Sequence, residues 1–138
     1  GKNKSTKIFQ ALRIFVNREV SQLIKGLINA YTILPIGGVI AVVTFHSLED
    51  KIVKFFFKEY SEIRNSSRYL PKSTSPKKYF NTTKKKPIVP TASEIKINPP
   101  SRSAKLRFAY KLENGCDFEN FISKFNYLIN IENLGFDV

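Results

Sequence analysis

The six residues at positions 45–50, Phe-His-Ser-Leu-Glu-Asp, carry the densest set of side chains able to take part in chemistry. His46, Ser47, Glu49 and Asp50 supply an imidazole, a hydroxyl and two carboxylates at the end of the apolar run GGVIAVVTF. That run is rich in β-branched residues and predicts a strand buried on both faces. Because ligands of open α/β sheets bind outside the carboxyl ends of strands, the pattern predicts a functional site at this strand end.

The same residues are also typical of a helix start. Ser47 can cap a following helix, and Asp50, three residues later, can return a hydrogen bond and complement the positive helix end. A lone histidine such as His46 is often a satisfied structural side chain. Two interpretations therefore remain open for these residues, a catalytic group and a helix cap with a satisfied histidine.

The formal net charge of +12 is concentrated in the middle of the chain. Residues 63–112 contain thirteen Lys and Arg against one Glu, whereas residues 113–138 contain one Lys against five acids. The basic run at 84–86, with Tyr79 and Phe80 close by, suits a phosphate backbone and unpaired bases. A solvated loop is the alternative, and both descriptions hold if such a loop becomes ordered on RNA.

Composition excludes several classes of protein. Cys116 is the single cysteine, so an internal disulfide is excluded and a reducing compartment is expected. One Cys and one His without suitable spacing predict no metal site. Residues 26–48 lack charged side chains, but Pro35 with Gly37 and Gly38 predicts a turn between helix and strand rather than a membrane span.

Cofactor binding has no sequence signature in this chain. No glycine-rich turn follows a strand, because the Gly37-Gly38 pair precedes its strand, so a nucleotide-like cofactor is not expected to bind here. The chain begins with glycine and contains no methionine, which indicates part of a longer polypeptide.

Hydrophobic periodicity places elements around the polar run. Apolar residues at helical spacing between Leu12 and Tyr31 predict one long helix, and a second helix is predicted from Ser47 to about Tyr60. Helix, turn, strand and helix in this order describe half of a doubly wound α/β layer.

The rest of the chain predicts a loop, a strand and a helix. Residues 65–100 predict mostly loop, with one short strand near 86–89. Residues 104–112 alternate strictly and predict a strand with a covered apolar face and an exposed cationic face. From Asp117 onward, apolar residues at helical spacing predict an amphipathic helix.

These elements predict one domain with three regions. Residues 1–62 form the helix-turn-strand-helix core, residues 63–103 a basic loop region, and residues 104–138 the antiparallel strand and the C-terminal helix.

Three segments together resemble one protein family. They are FQALRIFVN at 9–17, TFHSLEDKIVK at 44–54 after the double-glycine turn, and NPPSRSAKLR at 98–107. They resemble the C-terminal part of the MraW/RsmH family, whose members are S-adenosylmethionine-dependent methyltransferases acting on the N4 amine of a cytidine in small-subunit ribosomal RNA. The resemblance implies an α/β fold, the C-terminal half of a class I (Rossmann-like) methyltransferase sheet with flanking helices and a late antiparallel strand.

The chain also departs from the family pattern. The family's glycine-rich cofactor loop and acidic ribose ligand belong to a more N-terminal region that this sequence does not contain. The chain alone is therefore expected to be inactive and not to bind S-adenosylmethionine, with a missing N-terminal half or a homodimer left open as the complement. Pro100 stands where the family usually has Arg, and the tail from Glu113 lies beyond the usual family end.

The resemblance implies roles for particular side chains. Arg13 either holds a phosphate or carboxylate of the site or forms an ion pair with Glu49 or Asp50. Polar groups expected near the reacting amine are Gln10, Arg13, Asn17, His46, Ser47, Glu49 and Asp50. Contacts to the RNA backbone are expected from Lys84, Lys85, Lys86, Arg102, Lys105 and Arg107.

The sequence thus predicts the C-terminal part of a cytoplasmic ribosomal RNA methyltransferase whose partner is small-subunit RNA or the ribosomal subunit. The alternative is a basic RNA-binding or ribosome-associated module without catalysis, which the charge distribution and the missing cofactor loop support.

Overall fold

A computed structural model describes residues 4–62 and 77–134. The first part of the predicted basic loop region, residues 63–76, lies outside the described residues. The helices are α1 (Lys4–Val16), α2 (Glu19–Ile33), α3 (Ser47–Ser61), α4 (Ala92–Ile97) and α5 (Glu119–Asn133), with a 3-10 turn at Pro99–Ser103. The strands are β1 (Val39–Thr44), β2 (Phe80–Asn81) and β3 (Lys105–Lys111). None of the described helices combines the length and the apolar character that crossing a membrane requires.

The chain divides into two compact units. The first comprises Gly1–Asn29 with Phe118–Val138, and the second comprises Ala30–Asp117. The division falls inside α2, so the first unit is helical and the second contains the three strands. Helices with a small antiparallel sheet confirm the α/β class in its coarse form.

The prediction of one continuous N-terminal helix is wrong, because the helix breaks at Asn17 and Arg18. Arg18 has a φ of 52°, in the left-handed region that ends helices. Its amide donates to the carbonyl of Phe15 at 3.2 Å, and the Gln22 side chain donates to the Asn17 carbonyl at 2.8 Å. Apolar periodicity runs unchanged from α1 into α2, so the pattern gives no sign of this break.

In the first unit, α5 is fastened to the start of α2 by a buried carboxylate. Glu132 is 2% exposed and accepts hydrogen bonds from the amides of Val20 at 2.8 Å and Ser21 at 2.9 Å, and from the Ser21 hydroxyl. These amides belong to the first turn of α2, whose N–H groups have no partner within the helix. The buried rings of Phe121 and Phe125 pack on each other from successive turns of α5.

The second unit is a sheet with α3 packed on one face. The strand order is β1-β3-β2 and all pairs are antiparallel. Buried residues of α3 include Phe56 and Phe57, whose rings pack against Phe80 of β2 at 5.3 and 5.5 Å between centroids. This aromatic cluster forms the core on the α3 side of the sheet.

The expectation that β1 is buried on both faces is wrong. Ile40 and Thr44 are 6% and 1% exposed, whereas Val39 and Val43 are 45% and 53% exposed. Side chains alternate across a strand, so the covered set is the one on the α3 side. A continuous β-branched run does not by itself distinguish this arrangement from two-sided burial.

The two faces of β3 are the reverse of those predicted. Ala109 and Lys111 are 0% and 1% exposed, whereas Tyr110 on the apolar face is 38% exposed. The cationic face therefore carries the buried residues. The physical reason is that acceptors from neighbouring elements compensate these charges, as Asp50 does for Arg107.

Lys111 shows how a cation is accommodated in this core. Its ammonium donates to the carbonyl oxygens of Tyr31 at 2.8 Å and Leu34 at 2.7 Å, and lies 4.3 Å from the centroid of the Tyr31 ring. Cations are favourable at helix C-termini, where carbonyl oxygens lack helical partners. The Lys111 backbone also pairs with Gly37 and Gly38 at 2.8 and 2.9 Å, which fixes the turn before β1.

Candidate functional site

The end of β1 leads directly into a capping box at the start of α3. His46 is the N-cap residue, with φ −131° and ψ 162°, and its Nδ1 accepts from the Glu49 amide at 3.4 Å. The Glu49 carboxylate accepts from the amides of Phe45 at 3.0 Å and His46 at 3.4 Å. The prediction that Ser47 caps with Asp50 is therefore wrong by one residue. Both pairs have the spacing of a capping box, and the extended backbone at His46 decides between them.

The capping box also joins the two side chains directly. His46 Nε2 lies 3.1 Å from Glu49 Oε1, and the side chains are 11% and 28% exposed. Ser47 occupies the first helical position and is exposed. The strand end thus presents a hydroxyl to solvent beside an imidazole and a carboxylate that are held in place by the backbone.

Asp50 faces the sheet rather than the helix cap. Arg107 Nε donates to Asp50 Oδ1 at 2.7 Å and Arg107 Nη2 to Oδ2 at 3.4 Å, while Lys105 Nζ donates to Oδ2 at 3.2 Å. Burial acts to raise the pKa of Asp50, but the hydrogen bonds from Arg107 and Lys105 outweigh it, and the pKa lies below the ordinary 3.8. Asp50 is therefore an ionised link between α3 and β3 at neutral pH.

The basic run predicted at 84–86 is exposed and tied to the same link. Lys84, Lys85 and Lys86 are all exposed, and Arg107 Nη1 donates to the carbonyl of Lys85 at 3.1 Å. The short strand predicted near 86–89 is present only as a single bridge between Ile88 and Leu106. The exposed lysines, the Asp50 link and the end of β1 together define the candidate site of the second unit.

The segment after the basic run contains a helix that sequence reasoning missed. The six-residue helix α4 is capped by the Thr91 hydroxyl, which accepts from the Glu94 amide at 3.2 Å. The 3-10 turn follows directly and carries exposed Arg102, with Pro at its first positions. The Thr-x-x-Glu spacing at 91–94 is the signal that identifies this helix start.

The remaining predicted site residues belong to the first unit. Arg13 Nε lies 2.8 Å from Glu19 Oε1, and Asn17 donates to the same oxygen at 3.3 Å. Arg13 thus has a partner within its own unit, and its pairing with Glu49 or Asp50 stays a prediction. Gln10 is half-buried on α1.

The double-glycine turn does not provide a site for a nucleotide-like cofactor. The amides of Gly37 and Gly38 donate to the carbonyls of Lys111 at 2.8 Å and Pro35 at 3.0 Å, so the double-glycine turn has no free donors for a ligand. A Cβ atom at Gly38 would lie 2.5 Å from Cγ of Leu34, so this glycine serves close packing.

Two buried charges escaped sequence reasoning. Lys111 follows the alternation that places it beside Ala109, and Glu132 falls seven residues after Phe125 on the apolar stripe of α5. A charge at a position that periodicity assigns to the core is the signal that could have identified Glu132, whereas alternation assigned Lys111 to the exposed face of its strand.

The fold and the site together define an α/β protein whose polar strand end is linked through Asp50 and Arg107 to an exposed basic segment. A family model described as the MraW methylase family matches residues 1–112. The chain belongs to this family, which confirms the resemblance seen in the sequence.

Curated relatives agree with the family match. The chain is 47% identical over 109 residues to the "Ribosomal RNA small subunit methyltransferase H" of Rhodopseudomonas palustris (strain TIE-1), covering 79% of this chain and 33% of the relative. Proteins with the same name from Methylorubrum populi and Bartonella quintana are 49% and 44% identical over 105 and 112 residues. These matches cover 75% and 81% of this chain, and 30% and 34% of the relatives. The chain thus spans about a third of the length of these relatives.

Proposed function

We propose that this chain is the C-terminal part of a small-subunit ribosomal RNA methyltransferase, which transfers a methyl group from S-adenosylmethionine to the N4 amine of a cytidine. The observation that carries the proposal is the family match over residues 1–112, together with relatives of that name at 44–49% identity. The cytoplasm, where ribosomal subunits are assembled and modified, is the corresponding location.

The strand end supports a role on the substrate side of the reaction. Transfer to an exocyclic amine requires a base held in a shaped pocket, aligned with the methyl donor and with acceptors for the amine protons. In this proposal His46 and Ser47 border that pocket, Glu49 holds His46, and Asp50 holds β3. The capping geometry supports this division, because the Glu49 carboxylate already accepts from two backbone amides.

The exposed cations support contact with the RNA backbone. Lys84, Lys85 and Lys86 are exposed, and Lys105 keeps 40% of its side chain exposed while paired with Asp50. Such contacts position an RNA without selecting its sequence. Arg102 on the 3-10 turn is a further exposed cation of the same unit.

S-adenosylmethionine would supply the methyl group in the complete enzyme. The double-glycine turn offers this cofactor no free amides, and we assign its binding to the part of the family's length that this chain does not span. The isolated chain is accordingly expected to be inactive, and Gln10, Arg13 and Asn17 are kept as candidates for the surroundings of the substrate.

A chimera tests the proposal directly. Residues 1–112 of this chain replace the matching segment of the Rhodopseudomonas palustris relative, and transfer of labelled methyl groups to small ribosomal subunits is measured. We expect transfer, with N4-methylcytidine as the product identified by mass spectrometry. The unaltered relative is the positive control, and the chimera with His46→Ala is expected to lose transfer while S-adenosylmethionine binding persists.

A chimera that folds and binds S-adenosylmethionine as the parent does, yet transfers no methyl group, would contradict the proposal. The second candidate, a non-catalytic RNA-binding module, is favoured by the exposed basic run and the absence of a cofactor turn among the described residues. It requires RNA binding by the isolated chain and predicts an inactive chimera.

A further inference from the structure

We propose that Arg107 is a positioning residue. It holds the segment with the exposed lysines 84–86 next to β3 and the start of α3, and it does not itself bind RNA phosphate. The proposal rests on the proposed function in so far as RNA is the ligand of these lysines. It concerns a direct connection between three elements, α3 through Asp50, β3 through Arg107, and the basic run through the backbone of Lys85.

All three nitrogen atoms of the Arg107 guanidinium are already used within the protein. Nε and Nη2 donate to the two oxygens of Asp50 at 2.7 and 3.4 Å, and Nη1 donates to the Lys85 carbonyl at 3.1 Å. The side chains of Arg107 and Asp50 are 10% and 13% exposed. Each Nη keeps one further N–H group, but the side chain is only 10% exposed and its charge is paired with Asp50. A phosphate would have to break this largely buried pair to reach the guanidinium fully, and that is costly.

A second tie holds the basic run close to the first. The Ile88 amide donates to the Leu106 carbonyl at 2.9 Å, and the Leu106 amide donates back at 2.9 Å. The run is therefore attached to β3 on both sides of Lys86, through Lys85 and through Ile88. Attachment reduces the conformational freedom that three exposed lysines would otherwise lose when RNA binds.

Lys105 offers a matched comparison with Arg107. It shares the Asp50 carboxylate, with Nζ 3.2 Å from Oδ2, but its side chain is 40% exposed, and the described contacts give it no bond to the basic run. Replacing either residue by Gln removes one positive charge near the same acid. A purely electrostatic role predicts similar losses for the two variants, whereas a positioning role predicts a larger loss for Arg107→Gln.

Replacement of Asp50 distinguishes an electrostatic role of Arg107 from a positioning role, because the two predict opposite changes in RNA affinity. Asp50→Asn removes a negative charge and releases both cations, so a simple Coulomb argument predicts tighter RNA binding. The positioning argument predicts weaker binding, because the anchor of Arg107 is lost.

The experiment measures binding of the full chain to a fluorescent single-stranded segment of small-subunit ribosomal RNA at several salt concentrations. The variants are Arg107→Gln, Arg107→Lys, Lys105→Gln, Asp50→Asn and the triple change of Lys84, Lys85 and Lys86 to Ala. Arg107→Gln is also combined with the triple change. Amide exchange at Ile88 is followed without RNA, and circular dichroism checks that each variant is folded.

We expect Arg107→Gln to weaken binding about tenfold and Lys105→Gln about threefold, with the triple change reducing the slope of log K against log salt by about 2 for a single-stranded target. In the triple background Arg107→Gln should have almost no further effect, because the groups it positions are gone. Arg107→Lys should also weaken binding and accelerate exchange at Ile88, since one ammonium cannot reproduce the three-way contact.

Additive effects of Arg107→Gln and the triple change would overturn the positioning role, as would tighter binding by Asp50→Asn. If Asp50→Asn does not fold, the test falls to Arg107→Lys. Unchanged RNA binding by that variant, with amide exchange at Ile88 as slow as in the original chain, would also overturn the positioning role. An unchanged affinity and salt slope in the triple variant would instead remove the RNA interface of the proposed function, and the positioning role with it.

Discussion

Replacement of Lys111 by Met should destabilise the second unit strongly, although it removes a buried charge. Met is similar in length and fills much of the same space, so packing is largely retained. What is lost is the ammonium that donates to Tyr31 at 2.8 Å and Leu34 at 2.7 Å. The two carbonyl oxygens lose this donor at the end of α2.

The magnitude follows from opposing contributions. A buried acceptor that loses its partner costs roughly 1–3 kcal/mol, which gives roughly 2–6 kcal/mol for two, toward the lower end because the Leu34 contact is only part-buried. Loss of the ammonium from the Tyr31 ring adds about 1–2 kcal/mol. Relief from burying the ammonium offsets about 1–2 kcal/mol of this sum, because the carbonyls and the ring already compensate most of its desolvation. We expect a net loss of about 2–4 kcal/mol in the free energy of unfolding.

The assay is urea unfolding followed by far-ultraviolet circular dichroism, with Lys54→Met as the control. Lys54 is exposed on α3, so the same change of charge and side chain should alter stability by less than about 0.5 kcal/mol. A Lys111→Met variant within about 1 kcal/mol of the original chain, at an unchanged m-value, would refute the reasoning. It would mean that burial of the ammonium cancels its hydrogen bonds.

Three further predictions concern other buried or paired groups. Glu132→Gln should lower the free energy of unfolding in urea by about 1–3 kcal/mol, because the bonds of Glu132 to the start of α2 are charge-assisted. Glu113→Gln, at an exposed position, should change it very little, and equal losses would contradict the capping role of Glu132. Because folding lowers the pKa of Asp50, the ionised carboxylate contributes to the free energy of unfolding above pH 3.8, and this contribution is lost as pH falls further. Asp50→Asn should therefore make the stability less dependent on pH in the acid range, and an unchanged dependence would count against this. Burial, with the nearby charge of Asp117, raises the pKa of Cys116 to about 12. A thiol reagent at pH 8 should therefore react slowly with the folded chain and rapidly with the chain unfolded in urea, and equal rates would refute the raised pKa.

Hydrophobic periodicity predicted the elements that carry most of the core. The strand after the double glycine, the helix that follows it, the alternating strand at 104–112 and the C-terminal helix are all present. Each has a run long enough for its period to be distinct. Helix α4 was missed because six residues between prolines give too short a pattern, and its cap was the more informative signal.

The sequence could not predict which charges would be buried. Strand alternation correctly grouped Lys105, Arg107 and Lys111 on one face, but the face was assigned to solvent because unpaired cations are rarely buried. Asp50 lies more than fifty residues away in sequence, and the carbonyl at the end of α2 carries no side-chain signal at all. Long-range acceptors of this kind are set by the tertiary fold, so the sequence did not predict the partners of these cations. The location of the site at the strand end stays a prediction.

The outer edge of β1 has a consequence for the behaviour of the chain in solution. Among the described residues β1 pairs with β3 only, and its sequence VIAVVT has no charge and no proline to discourage addition of another strand. The net charge of +12 keeps separate molecules apart at low ionic strength. Added salt screens that repulsion within about 10 Å at 0.1 M, whereas the ability of the apolar strand edge to pair with another strand is unchanged. Colloidal stability of the isolated chain should therefore decline as salt rises, and buffers of low ionic strength should keep it dispersed.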